Sequence, residues 1–323
     1  MARSNFTSCG TQPKEETWSH LKNPPEEDTF PKLMRRNYLR WGDKKVAYRH
    51  KDYGYWCEFT WKDYYETVKY LAGGFLTLGF QHGDRVCIVG ENAPEWFWGQ
   101  LAVESLGGIM VGMNTDSIPS EFQFLIVHSG ARFVMADDQE QVDKILSIRD
   151  NIPNVENVIF WDAKGMWDYE DPWLVAFDDL LDKGKEYEKE HPGFLEESID
   201  RGKGDDVALL FYTSGTTGDP KGSMATYNNI IGNFQGWDRV LPWSGKEELL
   251  SFLPPAWCGE QQFTMASNLQ KGVAVNFIEE PETVTNDIRE IAPDAMIFGP
   301  RNWEMYCSTV MAKMIDSSPM KKL

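Results

Sequence analysis

The sequence predicts an α/β protein with parallel sheets flanked by helices, arranged in two subdomains. Three observations carry that prediction. From about residue 60 onward, short apolar runs alternate with amphipathic segments at helical spacing, the pattern of βαβ units. One strand-like run, 207–212, leads straight into a loop crowded with Gly, Ser and Thr. The 323 residues are enough for two domains or one large α/β domain.

The elements follow in order. Residues 1–30 are polar and rich in Pro and Glu, which predicts an extended arm. Thr60 and Asp63 have the spacing of a capping box. Trp61, Tyr64, Tyr65, Val68, Leu71, Ala72 and Phe75 then recur at helical spacing, with Gly79 as the stop. Strands are predicted at 85–89, 109–113, 133–136 and 158–161. Helices are predicted at 94–106, 120–128 and 139–149, and Pro94 suits a first turn. Residues 163–200 break the rhythm: DYEDPW and KEYEKEHPGFLEE are acidic and aromatic, which predicts a solvated helix plus loops. That stretch is read as an insertion closing a first α/β subdomain, 31–200. The second, 201–323, begins with the strand at 207–212. Strands at 249–253, 273–278 and 295–298 alternate there with helices at 228–240, 261–269, 283–291 and 303–315.

Composition narrows the function. A net charge of −18, from 32 basic and 50 acidic residues, repels phosphate backbones and argues against general nucleic-acid binding. The five cysteines, Cys9, Cys57, Cys87, Cys258 and Cys307, are odd in number and contain no C-x-x-C pair. The expected compartment is a reducing cytosol, without a disulfide framework or zinc site. The five histidines are scattered and read as surface or packing residues. No run reaches the ~18–20 apolar residues that cross a bilayer. The 13 tryptophans leave peripheral membrane contact open.

FYTSGTTGDPKG, at 211–222, concentrates the chemistry. Gly215, Gly218 and Gly222 let a backbone turn sharply and approach a ligand. Successive N–H groups in such a turn form an anion nest. Thr213, Ser214, Thr216 and Thr217 add hydroxyl donors, and Lys221 adds a cation suited to phosphate oxygens. A surface turn explains any three of these residues, but not the ordered string. A Walker A loop, and with it a kinase of that type, needs Ser or Thr after the Lys. Here Pro220 precedes Lys221 and Gly222 follows it. Pro220 also predicts a short returning strand, 223–226, before the next helix, so no helix dipole is expected at the loop.

Tyr-Thr-Ser-Gly-Thr-Thr-Gly-Asp-Pro-Lys-Gly, at 212–222, resembles the phosphate-loop signature of the adenylate-forming superfamily. The stretch GDRVCIVGENAPEWFWGQLAVESLGGIMVGMNTDSIPSEFQFLIVHSGARFVMADD, at 83–138, is similar to the early core of its long-chain fatty acyl-CoA synthetase branch. SFLPPAWCGEQ, at 251–261, sits where the family has a Leu-Pro-x-x-His or aromatic segment beside the acyl site, and FGPRNWEMY, at 298–306, resembles the Pro-Arg-x-Trp-Glu stretch of the long-chain branch. The resemblance runs from about residue 30 to the end. Trp257, beside Pro254 and Pro255, fits either a core residue or the wall of a substrate tunnel. Pro300 and Arg301 fit a helix start, and Glu91 and Asn92 fit a cap. After Gly222 the sequence departs from the family, with Tyr227 where a histidine is usual.

The resemblance implies an ATP-dependent, AMP-forming ligase. A fatty acid carboxylate attacks the α-phosphorus of ATP, pyrophosphate leaves, and coenzyme A takes the acyl group. It assigns the β- and γ-phosphates to Thr213, Ser214, Gly215, Thr216, Thr217, Gly218, Lys221 and Gly222, with Lys221 catalytic. It gives Thr213 a contact to Mg²⁺, and places Trp257 and Gly299 in the acyl pocket. The family's Tyr-Gly-x-Thr-Glu segment, ribose segment and mobile C-terminal domain with its catalytic lysine are not found. The chain is therefore expected to be the N-terminal portion of such an enzyme and inactive alone. Two alternatives stay open: a fatty acyl-AMP ligase, which passes its product to a carrier protein, and a naturally short, non-catalytic nucleotide-binding subunit.

Overall fold

A computed structural model describes residues 22–213 and 220–316 of the chain. In chain order the elements are α1 (Phe30–Trp41), β1 (Val46–Asp52), β2 (Tyr55–Thr60), α2 (Trp61–Thr77), β3 (Arg85–Val89), α3 (Pro94–Ser105), β4 (Ile109–Met113), α4 (Pro119–Ser129), β5 (Phe133–Ala136), α5 (Gln139–Leu146), β6 (Asn157–Phe160), β7 (Leu174–Ala176), α6 (Phe177–Glu190) and α7 (Phe194–Arg201). They continue with β8 (Val207–Thr213), β9 (Lys221–Thr226), α8 (Tyr227–Val240), β10 (Glu248–Ser251), α9 (Cys258–Glu260), a π-helical turn (Gln261–Met265), α10 (Ala266–Lys271), β11 (Ala274–Phe277), α11 (Val284–Ile291), β12 (Ala295–Met296) and α12 (Pro300–Asp316).

The strands form two sheets. One has seven strands in the order β7-β6-β5-β3-β4-β8-β9, and the other five in the order β12-β10-β11-β1-β2. Pairing is parallel except for β8–β9 and β1–β2. This is the predicted α/β class. Each sheet draws strands from both sides of residue 200: β8 pairs with β4, and β1 with β11.

Helix α3 joins the sheets. Its apolar residues are spread round the whole helix, as befits one without a solvent face, and every residue except Glu95 is buried, including the hydrogen-bonded Gln100 and Glu104. Phe97 packs on Phe277 and Tyr48 of the five-stranded sheet, with ring centroids at 5.3 and 6.1 Å. On the other side, a Cβ at Gly99 would meet the Met135 sulfur of β5 at 2.5 Å. The missing side chain is what lets helix and sheet touch.

Thr60 and Asp63 close the expected capping box, and Gly79 follows α2 with φ +85°. Three features differ from expectation. Helix α1 and the β1–β2 hairpin lie in a stretch without predicted structure. Residues 163–200 are more than a solvated helix and loops: β7 extends the seven-stranded sheet, and α6 buries Phe177, Leu180 and Gly184. The 249–253 strand ends at Ser251, and the next helix begins at Cys258 instead of 261. The two prolines between remove the N–H donors that would extend the ladder.

Candidate functional site

Open α/β sheets bind ligands outside the carboxyl ends of their strands. Two cavities lie there. The first, of about 400 Å³, is bounded by Gly90 and Glu91 after β3, Met113 to Thr115 after β4, and the 254–257 turn. The second, of about 510 Å³, lies where the carboxyl ends of both sheets meet; Asn92, Asp137, Phe252 and Glu279 line it.

The described residues on either side of the 214–219 stretch belong to two paired strands. Strand β9 runs antiparallel to β8, with Thr213 opposite Lys221 and Tyr212 opposite Gly222. The predicted returning strand is thus present and begins at Lys221. Ser214, Gly215, Thr216, Thr217 and Gly218 lie outside the described residues. Helix α8 begins at Tyr227, after all of β9. No helix N-terminus therefore directly follows Lys221. Lys221 is exposed. Gly222 accommodates a neighbour: a Cβ there would stand 3.2 Å from the Tyr212 ring. The Tyr212 hydroxyl is 2.8 Å from His128 Nδ1.

Trp257 lines the 400 Å³ cavity and is 52% exposed. It belongs to the wall of that cavity, which sets aside the reading of Trp257 as a core residue. Strands β4 and β8 are neighbours, with Val111 opposite Leu210. The Trp257 cleft, at the end of β4, and the phosphate-loop hairpin, at the end of β8, thus open from adjacent strands, about 5 Å apart. Gly299 lies elsewhere, at the head of α12. The preceding Phe298 packs edge-on against Phe252 with centroids at 4.5 Å, and Phe252 lines the larger cavity. Pro300 does start a helix.

The larger cavity is acidic. Burial pushes Glu95 and Asp137 both up to about 7. Such a lining disfavours a polyphosphate. Among the described residues, no group of three or more His, Cys, Asp or Glu could hold a metal ion.

Asn92 is not a helix cap. The N-cap of α3 is Ala93, without a side-chain bond. Asn92 Nδ2 instead crosses to the other sheet and donates to Ser251 Oγ and the Leu253 carbonyl, both at 2.8 Å. Glu260, Gln261 and Gln100 form further buried contacts there. Sequence reasoning missed this group. Its signal was a Glu-Gln pair inside an otherwise helical, core-facing stretch. Tyr227, in place of the usual histidine, is turned inward: it is buried and packs edge-on against Phe30.

No helix among the described residues is long and apolar enough to cross a membrane. A long-chain-fatty-acid–CoA ligase of Rattus norvegicus is 30% identical over 269 residues, covering 80% of this chain and 36% of the relative. A human long-chain-fatty-acid–CoA ligase is 28% identical over 315 residues, covering 90% and 42%. The chain thus spans well under half the length of these curated relatives. Among solved structures, an anthranilate CoA ligase in complex with anthranoyl-AMP superposes with a TM-score of 0.72 at 21% identity, over 84% of this chain and 50% of that one. The adenylation domain of a carboxylate reductase from Mycobacterium chelonae gives 0.68 at 20% identity, over 94% and 51%. These two establish likeness of fold. The model of the AMP-binding enzyme family matches residues 34–321, nearly the whole chain, and the chain belongs to that family.

Proposed function

We propose that the chain is the ATP- and acid-binding portion of an AMP-forming long-chain fatty acid–CoA ligase. The observation that carries this reading is the hairpin. It sets Lys221 beside Thr213, at a strand end adjacent to the cleft walled by Trp257. Residues 213–218 and Lys221 would cradle the β- and γ-phosphates, and the apolar face of Trp257 would meet the acyl chain.

Both reactants are anions, so alignment and charge neutralisation dominate catalysis. A carboxylate oxygen forms a bond to the α-phosphorus as the bond to the β-phosphate bridging oxygen breaks. Lys221 offsets the charge gathering on the departing pyrophosphate. In the second half, the coenzyme A sulfur attacks the acyl carbon, losing its proton, and AMP leaves. Mg²⁺ would neutralise phosphate oxygens. Thr213 would supply at most one ligand of the octahedral oxygen set that ion prefers.

The test is ATP–pyrophosphate exchange by the intact protein, with and without a long-chain fatty acid. Acid-dependent exchange is expected; its absence with every fatty acid tried overturns the reading. Adding coenzyme A separates a CoA ligase, which releases acyl-CoA, from an acyl-AMP ligase, which does not. The 323-residue chain alone is expected to give no efficient exchange.

A further inference from the structure

The turn that carries Trp257 has no sheet or helix to hold it. It leaves β10 at Ser251 and enters α9 at Cys258, and Pro254 and Pro255 have no N–H to donate. Side chains from elsewhere hold it. Asn92, just past β3, donates to the Leu253 carbonyl. Gln261 Nε2 donates to the Pro255 carbonyl at 3.1 Å. Ala256 lies directly on β4, where a Cβ at Gly112 would stand 2.7 Å from its Cα.

Glu260 is the hub. Its side chain is 2% exposed. Its carboxyl accepts from Ser251 Oγ at the end of β10 and from Asn92 Nδ2 at 3.4 Å, and the Thr264 hydroxyl and Leu253 N–H stand near enough to favour its ionised form. Its own N–H donates to the Trp257 carbonyl at 3.1 Å. The π-helical turn begins at the next residue; such turns frequently mark functional sites.

We propose that Glu260 is a positioning residue for Trp257. Its carboxylate joins the end of β3, the end of β10 and the 252–257 turn, and so fixes the tryptophan in the wall of the acid-binding cleft. For its substrate this inference rests on the ligase reading; for its geometry it does not.

The chemistry gives the junction a pH dependence. An ionised carboxylate is acceptor-only and suits four donors. A protonated one becomes a donor itself and displaces one of them. Burial pushes Glu260 up to about 7, against the opposing pull of its donors. The groups facing it from β10, the end of β3 and its own helix are neutral: Ser251, Asn92 and Thr264. From β1 the titratable neighbour is Tyr48, whose hydroxyl donates to Tyr64 at 2.5 Å. Glu91, Glu95 and Asp137 line the adjacent cavity together with Asn92.

Two readouts test this in the intact protein. The first needs no catalysis. With 5-fluorotryptophan incorporated, the Trp257 resonance is assigned by its loss in Trp257→Phe. It is expected to shift with pH around 7 in the wild type and to stop titrating in Glu260→Gln, whose amide cannot ionise. A Trp257 line that ignores pH in the wild type, or titrates equally in the variant, overturns the proposal. The wild-type titration decides even if the variant does not fold. The second readout is kinetic. Glu260→Gln is expected to raise the KM for the fatty acid about tenfold and broaden chain-length preference, with the KM for ATP unchanged, and Glu260→Asp to restore part of the loss. Equal changes in both KM values would mark a general structural defect and count against positioning. If no acid supports exchange at all, the ligase reading falls, and the fluorine signal still decides the role of Glu260.

Discussion

Lys221 and Gly222 are neighbours on β9, yet their reasons for being there differ. Lys221 is exposed beside the loop, where a cation has little to do for the fold. Lys221→Ala in the intact enzyme should slow adenylation about 100-fold, the usual cost of removing one charge-stabilising donor. Its stability should stay within about 0.5 kcal/mol of wild type. Exchange kinetics and a denaturant titration check the two halves, and an unchanged rate would remove Lys221 from the reaction. Gly222 was legible only as a loop glycine; the ring it makes room for, Tyr212, could be assigned only once β8 and β9 were paired. The 212–222 resemblance was readable because its residues are contiguous. The Glu260 junction was not, because Asn92 and Glu260 are brought together only by the packing of one sheet on the other.

At the scale of elements, helix–helix contact through glycine is the feature most open to experiment. Helices α2 and α6 meet where Gly73 and Gly74 face Gly184 and Leu180. A Cβ on Gly73 would lie 2.9 Å from the Gly184 carbonyl, and one on Gly184 would land on the Tyr70 carbonyl oxygen. Gly184→Ala should therefore destabilise the protein by about 3 kcal/mol, the upper range for overpacking, read as a lower denaturant midpoint. A neutral outcome would mean that the helices separate at no cost. This contact also explains why 163–200 misled the reading. Its charged residues do face water, as in the Lys185–Asp182 and Lys189–Glu186 pairs, but a narrow stripe of Phe177, Leu180 and Gly184 between them is buried. The helices and central strands were legible from their periodicity. The β1–β2 hairpin was missed although it carried a signal. Tyr53 and Gly54, at φ +46° and +76°, form the two-residue left-handed turn that hairpins favour, and the glycine was its sequence mark.

Across the whole molecule, desolvated carboxyls, buried at Glu260 and half-buried at Glu95 and Asp137, act in the same direction as a net charge of −18. Glu95, Asp137 and Glu260 keep their protons up to about 7 when folded, whereas unfolded carboxyls lose theirs near 4. Their contribution is fully present below the unfolded value and is lost as pH rises through the folded one. For Glu260, 2% exposed, the loss amounts to as much as about 3 kcal/mol. Thermal stability is expected to fall between pH 5 and pH 8, and Glu260→Gln should flatten the slope. A melting temperature that rises over that range would contradict these assignments. The α/β class was legible because it rests on local alternation. The membership of each sheet was not, since it rests on pairings that no local pattern encodes. Tyr48 of β1 pairs with Val275 of β11, a separation of 275 − 48 = 227 residues. A ribosome adding ~5–20 residues per second needs about 10–50 s to deliver that partner. Throughout that interval the nascent β1–β2 hairpin has an open edge. Strand β1 is the part of the newborn chain where a chaperone has most reason to bind, and where slowed elongation downstream would prolong the exposure.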